Sequence, residues 1–124
     1  MGNEQIELNT EVRKMMTETR NAKWRRKHNI TLEDVKKFDE GDWTTSVRTI
    51  EDVKVLLAFG REFNIEYKGL TALLTLDGGS GYSVSIQSGF EYDTDKLDDF
   101  GENAKIEPYF LKDIVGKWKI TWHA

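Results

Sequence analysis

The chain of 124 residues contains no cysteine. That excludes a disulfide framework, a thiolate nucleophile and any zinc site built on sulfur. Proline occurs once, at Pro108, and histidine twice, at His28 and His123. A histidine relay or histidine-based metal site would need both to meet with a third partner. One sits in a basic cluster and the other next to the last residue. No apolar run approaches the roughly 20 residues of a membrane span, and the opening MGNEQIELNT lacks the apolar core of a signal peptide. The expectation is a cytoplasmic protein with no membrane partner, no metal and no cofactor.

What the chain does have is aromatic residues and unevenly placed charge. Four Trp, four Tyr and six Phe are too many for a disordered chain. The length suits one domain, 1–124, with a real core. The net charge of −4 hides an asymmetry. Residues 1–29 carry seven Lys/Arg against four Glu, whereas residues 30–87 carry six against ten acids and residues 88–124 five against eight. The basic end is concentrated in KWRRKHN, residues 23–29, and the acidic end in EYDTDKLDDFGE, residues 91–102.

Periodicity places the elements. Thr10 can cap a first, basic helix to about His28, with Val12, Met15, Met16 and Trp24 as a thin apolar stripe. TLEDVKKF at 31–38 and TIEDVKVL at 49–56 look like a duplicated motif. They read better as two helix starts under one rule: Thr caps, the acids favour the positive end of the helix dipole, and Val faces the core. The offset of 18 residues is also short for a repeat architecture. The first stretch runs into Lys37, Asp39 and Glu40 and stays peripheral. The second runs into Val55, Leu56, Leu57 and Phe59 and becomes the buried central helix, carried past Gly60, a close-packing glycine, to Asn64. WTTSVR, residues 43–48, has β-prone residues and predicts a short strand. Strands follow at 63–69, 70–76, 82–87 and 90–94. A loop with a helical turn spans 95–105, and a short helix 109–115, with Pro108 suited to its first turn, precedes a final strand. In that strand Trp118, Ile120 and Trp122 alternate as the buried face. The sum is α+β: N-terminal helix 1–29, then a helix-plus-sheet core over 30–124 with an antiparallel sheet of about 4–5 strands.

Catalytic patterns are missing. LDGGSGY is followed by a strand rather than a helix, so it is a hairpin and not a phosphate cradle. The acidic segment fails the calcium-loop spacing, because counting from Asp93 Leu97 and Asp98 fall at positions five and six, where an acid and the glycine belong. Glu66, between Ile65 and Tyr67, is turned by alternation to the wet face. The expectation is therefore not an enzyme.

Two surfaces remain as candidates. The first is acidic: Tyr92, Asp93, Asp95, Asp98, Asp99 and Glu102, suited to a basic protein partner, an aromatic sheet face being the other possible docking surface. The second is basic: Lys23, Trp24, Arg25, Arg26 and Lys27, suited to nucleic-acid phosphates. The 16 residues KWRRKHNITLEDVKKF resemble the opening helices of repressor-type helix-turn-helix domains. The pattern departs at Lys36, where that family has a small residue, and DEGDWTTSVR follows in place of a tight turn and recognition helix. In size and charge the chain is similar to small inhibitor proteins of phages and mobile elements and to immunity proteins, without a shared motif. The leading expectation is a non-enzymatic protein-binding module. A nucleic-acid-binding regulator comes second and a small-ligand pocket third.

Overall fold

A computed structural model describes residues 21–77, 81–86 and 89–124. Helix α1 is helical over 21–27; the expected start of this helix at Thr10 lies outside the described residues. Helices α2 (Leu32–Asp39), α3 (Trp43–Ser46) and α4 (Ile50–Ala58) follow. Strands β1 (Phe63–Tyr67), β2 (Leu70–Asp77), β3 (Gly81–Ile86) and β4 (Gly89–Thr94) come next. Helix α5 (Leu97–Asn103), strands β5 (Lys105–Ile106) and β6 (Tyr109–Phe110), helix α6 (Leu111–Ile114) and strand β7 (Lys119–His123) complete the chain. The fold is α+β, with a five-stranded antiparallel sheet in the order β4-β3-β2-β1-β7 and a two-stranded β5-β6 ribbon.

The two TxEDVK stretches do start helices. At α4 the reciprocal cap is complete: Thr49 Oγ1 accepts from the Asp52 amide at 3.1 Å, and Asp52 Oδ2 accepts from the Thr49 amide at 3.1 Å. At α2 the bonds differ. The Thr31 hydroxyl donates to Asp34 Oδ2 at 3.1 Å, and the Asp34 amide goes to the Thr31 carbonyl instead. The Thr31 amide also donates to that carboxylate, which holds Asp34 below the usual carboxylate range. Beyond the caps the two diverge as their apolar content dictates. Helix α2 buries Val35 and Phe38, whereas α4 buries Val53, Val55, Leu56, Leu57 and Ala58.

Four expectations are corrected by local chemistry. WTTSVR is not a strand but α3: Asp42 takes the Thr44 amide at 2.9 Å, and that cap outweighs the β propensity of the threonines. The central helix ends at Ala58, not Asn64. Gly60 (φ +76°) forms the left-handed turn behind it, with the Arg61 amide on the Leu56 carbonyl at 3.0 Å, and a Cβ there would meet nothing within 4 Å. Asn64 belongs to β1. Pro108 lies between β5 and β6 after a cis peptide bond, and the helix begins later, at Leu111. Trp122 leaves the buried face. Ile65 pairs with Ile120 and Asn64 with Trp122, so one step on β1 meets two on β7, and Trp122 swings to the opposite side, 46 % exposed.

The core lies between the helices and one face of the sheet. Phe63, Ile65, Ala72, Leu74, Tyr82 and Val84 line that face and are buried with α4 residues and Phe100 of α5. Trp43 packs its edge on Phe63 and stacks flat on His123, with ring centroids 4.0 Å apart. Thr44, next to it, bonds the outer edge of β7. Its hydroxyl accepts from the Ile120 amide at 2.9 Å, so α3 shields a sheet edge that would otherwise be open. Glu66 is exposed, as alternation requires.

Candidate functional site

The acidic and basic candidate segments meet. Helix α1 lies against α4 and α5, and two of its five candidate residues turn inward. Trp24 Nε1 donates to Asp98 Oδ1 at 3.2 Å. Arg25 donates to the Ala58 carbonyl at 2.7 Å and stacks over Phe59. The carbonyl it reaches is one of the last in α4, where a cation complements the helix dipole. Lys23, Arg26 and Lys27 stay exposed and make no ion pair with a described residue.

The acidic residues divide by role. Lys54 of α4 joins Trp24 on Asp98, donating to the same Oδ1 at 3.2 Å. The Asp98 side chain is still 57 % exposed. The indole bond, then the Lys54 bond and charge, hold its carboxyl below the usual range. Asp99 is internally committed: Oδ2 takes the Tyr92 hydroxyl at 2.5 Å and Oδ1 takes the Asn103 amide group at 2.7 Å. Those bonds also lower its pKa, Tyr92 most. Glu102 pairs with Lys112 through Oε1 at 2.6 Å, and that bond raises the lysine. Asp93 and Asp95 are exposed on either side of Thr94, where β4 leads into α5. Tyr92 and Asp99 thus act as an internal clamp, while Asp93, Asp95, Asp98 and Glu102 are exposed residues.

The clamp predicts a pH effect. Burial, then the Asp99 bond and charge, push the Tyr92 phenol up to about 12. A raised pKa means the neutral form is favoured by folding. Its contribution is complete below the unfolded value near 10 and fades as pH rises through about 12. Asp98 and Asp99 have the opposite sign: their contribution holds above the ordinary aspartate value near 3.9 and fades as pH falls below it. Urea unfolding should find wild type more stable than Tyr92→Phe at pH 8. That advantage should shrink steadily between about pH 10 and 12. A constant gap across that range would show that the phenolic proton plays no part.

Between α1 and α5 lies a cleft of about 270 Å³, lined by Trp24, Tyr82, Leu97, Asp95, Asp98 and Asp99 and by one cation, Lys96. It brings one residue of the basic candidate set together with three of the acidic set. The sequence does not mark Tyr82 as part of a site, because its alternation assigns it to the core. It is buried there, and its hydroxyl bonds Asn21.

A larger groove of about 900 Å³ occurs where the β1–β2 and β3–β4 hairpins end. Leu70, Thr71 and Leu73 of β2, Ser85 of β3, Glu91 of β4 and Glu107 contribute to it. Sequence reasoning missed it, since it depends on how strands separated in sequence come together. Among the described residues no group of three or more metal-ligating side chains occurs, and no helix is long and apolar enough to cross a membrane. Compared with known protein families, curated proteins and solved structures, the chain finds no match.

Proposed function

We propose that this protein is a non-enzymatic module that docks on a basic protein surface through the cleft between α1 and α5. The carrying observation is the cleft itself, where an indole and three carboxylates converge on about 270 Å³. That volume falls below the roughly 300–1,000 Å³ of ordinary small-molecule pockets. It suits one long side chain instead. An arginine matches it best, because its planar guanidinium stacks on indole and forks onto carboxylates. Trp24 and Lys54 both fall on Asp98 Oδ1, and the Asp98 side chain keeps more than half of its surface exposed. The acids are already ordered by internal bonds, so a partner would lose little entropy in meeting them. Asp93 and Glu102 extend the negative field, which would steer a cationic partner. An inhibitor or immunity-type protein, covering a basic surface of a nucleic-acid-processing target, is the form of this reading we favour.

The test is a titration with a tetra-arginine peptide, followed by the indole N–H resonance of Trp24. The expected result is a saturable shift whose Kd weakens at least about tenfold between 50 and 500 mM salt. A tetra-glutamate peptide should leave the resonance in place. An unmoved indole, or salt-indifferent binding, would refute the cleft as the docking site.

The second reading rests on a separate observation, the exposure of Lys23, Arg26 and Lys27 along one turn of α1. Three phosphate-reaching cations give a nucleic-acid interface of modest size. Retention on random duplex DNA at about 50 mM salt, lost when all three become alanine, would favour it.

A further inference from the structure

The cleft between α1 and α5 contains a cation of its own. Lys96 lines it beside Asp95, Asp98 and Asp99. The lysine is exposed and makes no ion pair with a described residue. An ammonium on a flexible four-carbon stem, tied to no single carboxylate, can serve several of them. The carboxylates differ in what already balances them. Asp98 pairs with Lys54 at 3.2 Å. Asp99 is bonded by the neutral side chains of Tyr92 and Asn103, which leave its full charge in place. Its carboxyl is held low first by the Tyr92 bond, then by Thr94 and Asn103, and also by the charge of Lys96. Lys96 is thus a counter-charge to Asp99 from within the cleft.

Helix α5 gives no reason for a lysine at this position. Lys96 is its N-cap residue and makes no side-chain cap bond. An ammonium has no acceptor to offer the open amides of the first turn, and it stands at the positive end of the helix dipole. A residue that breaks the local rule of its element is expected where the surface has another use.

We infer that Lys96 is a built-in competitor for the docking cleft, an ammonium that holds the place beside Asp99 which a guest arginine must take over. This inference deepens the docking reading and rests on it. Two like charges in so small a space repel, so the guest must send Lys96 out into solvent. Lys96 therefore weakens every cationic guest, and a guest needs further contacts to stay bound. A guanidinium has them in its planar fork and in its stack on Trp24.

The test is the tetra-arginine titration, read at the Trp24 indole N–H, on wild type, Lys96→Gln, Lys96→Met and Lys96→Arg. At about 50 mM salt the Gln and Met variants should bind about fivefold tighter than wild type, the scale of one exposed charge. At about 500 mM salt that gain should fall below about twofold, because screening removes it. Lys96→Arg keeps the charge and should stay within about twofold of wild type. Thermal midpoints of the Gln and Met variants should be no lower than that of wild type, since a cation leaves the positive end of α5. A merely structural lysine would weaken binding on removal and could not strengthen it. Three results would overturn the inference: Gln and Met variants that bind no tighter, a gain undiminished at high salt, or an Arg variant that gains as much as Gln. The docking reading fails in a different way. No indole shift in wild type or any variant sinks both, whereas a wild type that binds while no variant gains overturns this inference alone.

Discussion

Trp43→Ala is expected to lower the unfolding free energy by about 3–5 kcal/mol, as for other fully buried large aromatics. Trp43 is only 2 % exposed. It fills the space between Phe63 and His123, and it is the first residue of the four-residue helix that carries Thr44 to the β7 edge. The loss is therefore twofold: a cavity in the core and a loosened cover on β7. Urea denaturation measures the first. Hydrogen exchange at Ile120 measures the second, because the Thr44 hydroxyl accepts its amide proton. Trp43→Phe should be far milder, under about 2 kcal/mol. The indole N–H of Trp43 is buried without a hydrogen-bond partner among the described residues, so removing it relieves a desolvation cost of about 1–3 kcal/mol that offsets the lost volume. Equal damage from Ala and Phe would contradict this account of the site.

Trp24→Ala is expected to cost about 2–3 kcal/mol and to abolish tetra-arginine binding, scaling the figure for buried Trp to a half-buried one. Trp24 gives α1 its bond to Asp98, its ring contact with His28 (centroids 4.5 Å apart) and its packing under Lys54. It is also a wall of the cleft. Without it, amides of residues 21–27 should exchange faster than those of α4, whose stability comes from the core. Trp24→Phe separates the two roles: it keeps a ring face for the guest but loses the donor to Asp98. Helix protection should fall partway in that variant while peptide binding survives. If α1 stays fully protected in Trp24→Ala, the indole does not hold it in place.

Much of the fold was legible because local signals agreed with the global one. Thr49 with Asp52, followed by Val53, Leu56 and Leu57, specifies a capped helix with an apolar circumference, and that helix is the core. Tyr82 and Val84 alternate with Ser83 and Ser85 and form a strand. The failures share a cause. Where one polar atom decides the backbone, propensity misleads: Asp42 turns WTTS into a helix, and Gly60 marks a helix end although apolar residues continue beyond it. Trp122 went astray because a register shift between strands distant in sequence sets its face.

The candidate site was legible only in part. The sequence singled out Asp95, Asp98 and Asp99 as anionic and Trp24 as part of a basic helix, yet gave no sign that the two sets pack together. That meeting depends on a tertiary contact across 74 residues. It also changes their meaning, since Asp99 is consumed by Tyr92 and Asn103 while Asp98 takes both of its donors on one oxygen and stays exposed. The larger groove was invisible for the same reason, because it depends on which strands pair and not on composition.

The central claim, that an anionic cleft docks a basic partner, is tested most directly by reversing charge at its rim. Asp93 and Asp95 are both exposed, and the thermal midpoint of a variant carrying Asp93→Lys with Asp95→Lys shows whether the fold is kept. In the tetra-arginine titration the account predicts a Kd at least about tenfold weaker for that variant, with the Trp24 indole shift reduced in step. An unchanged Kd, with the indole still moving as in wild type, would contradict it.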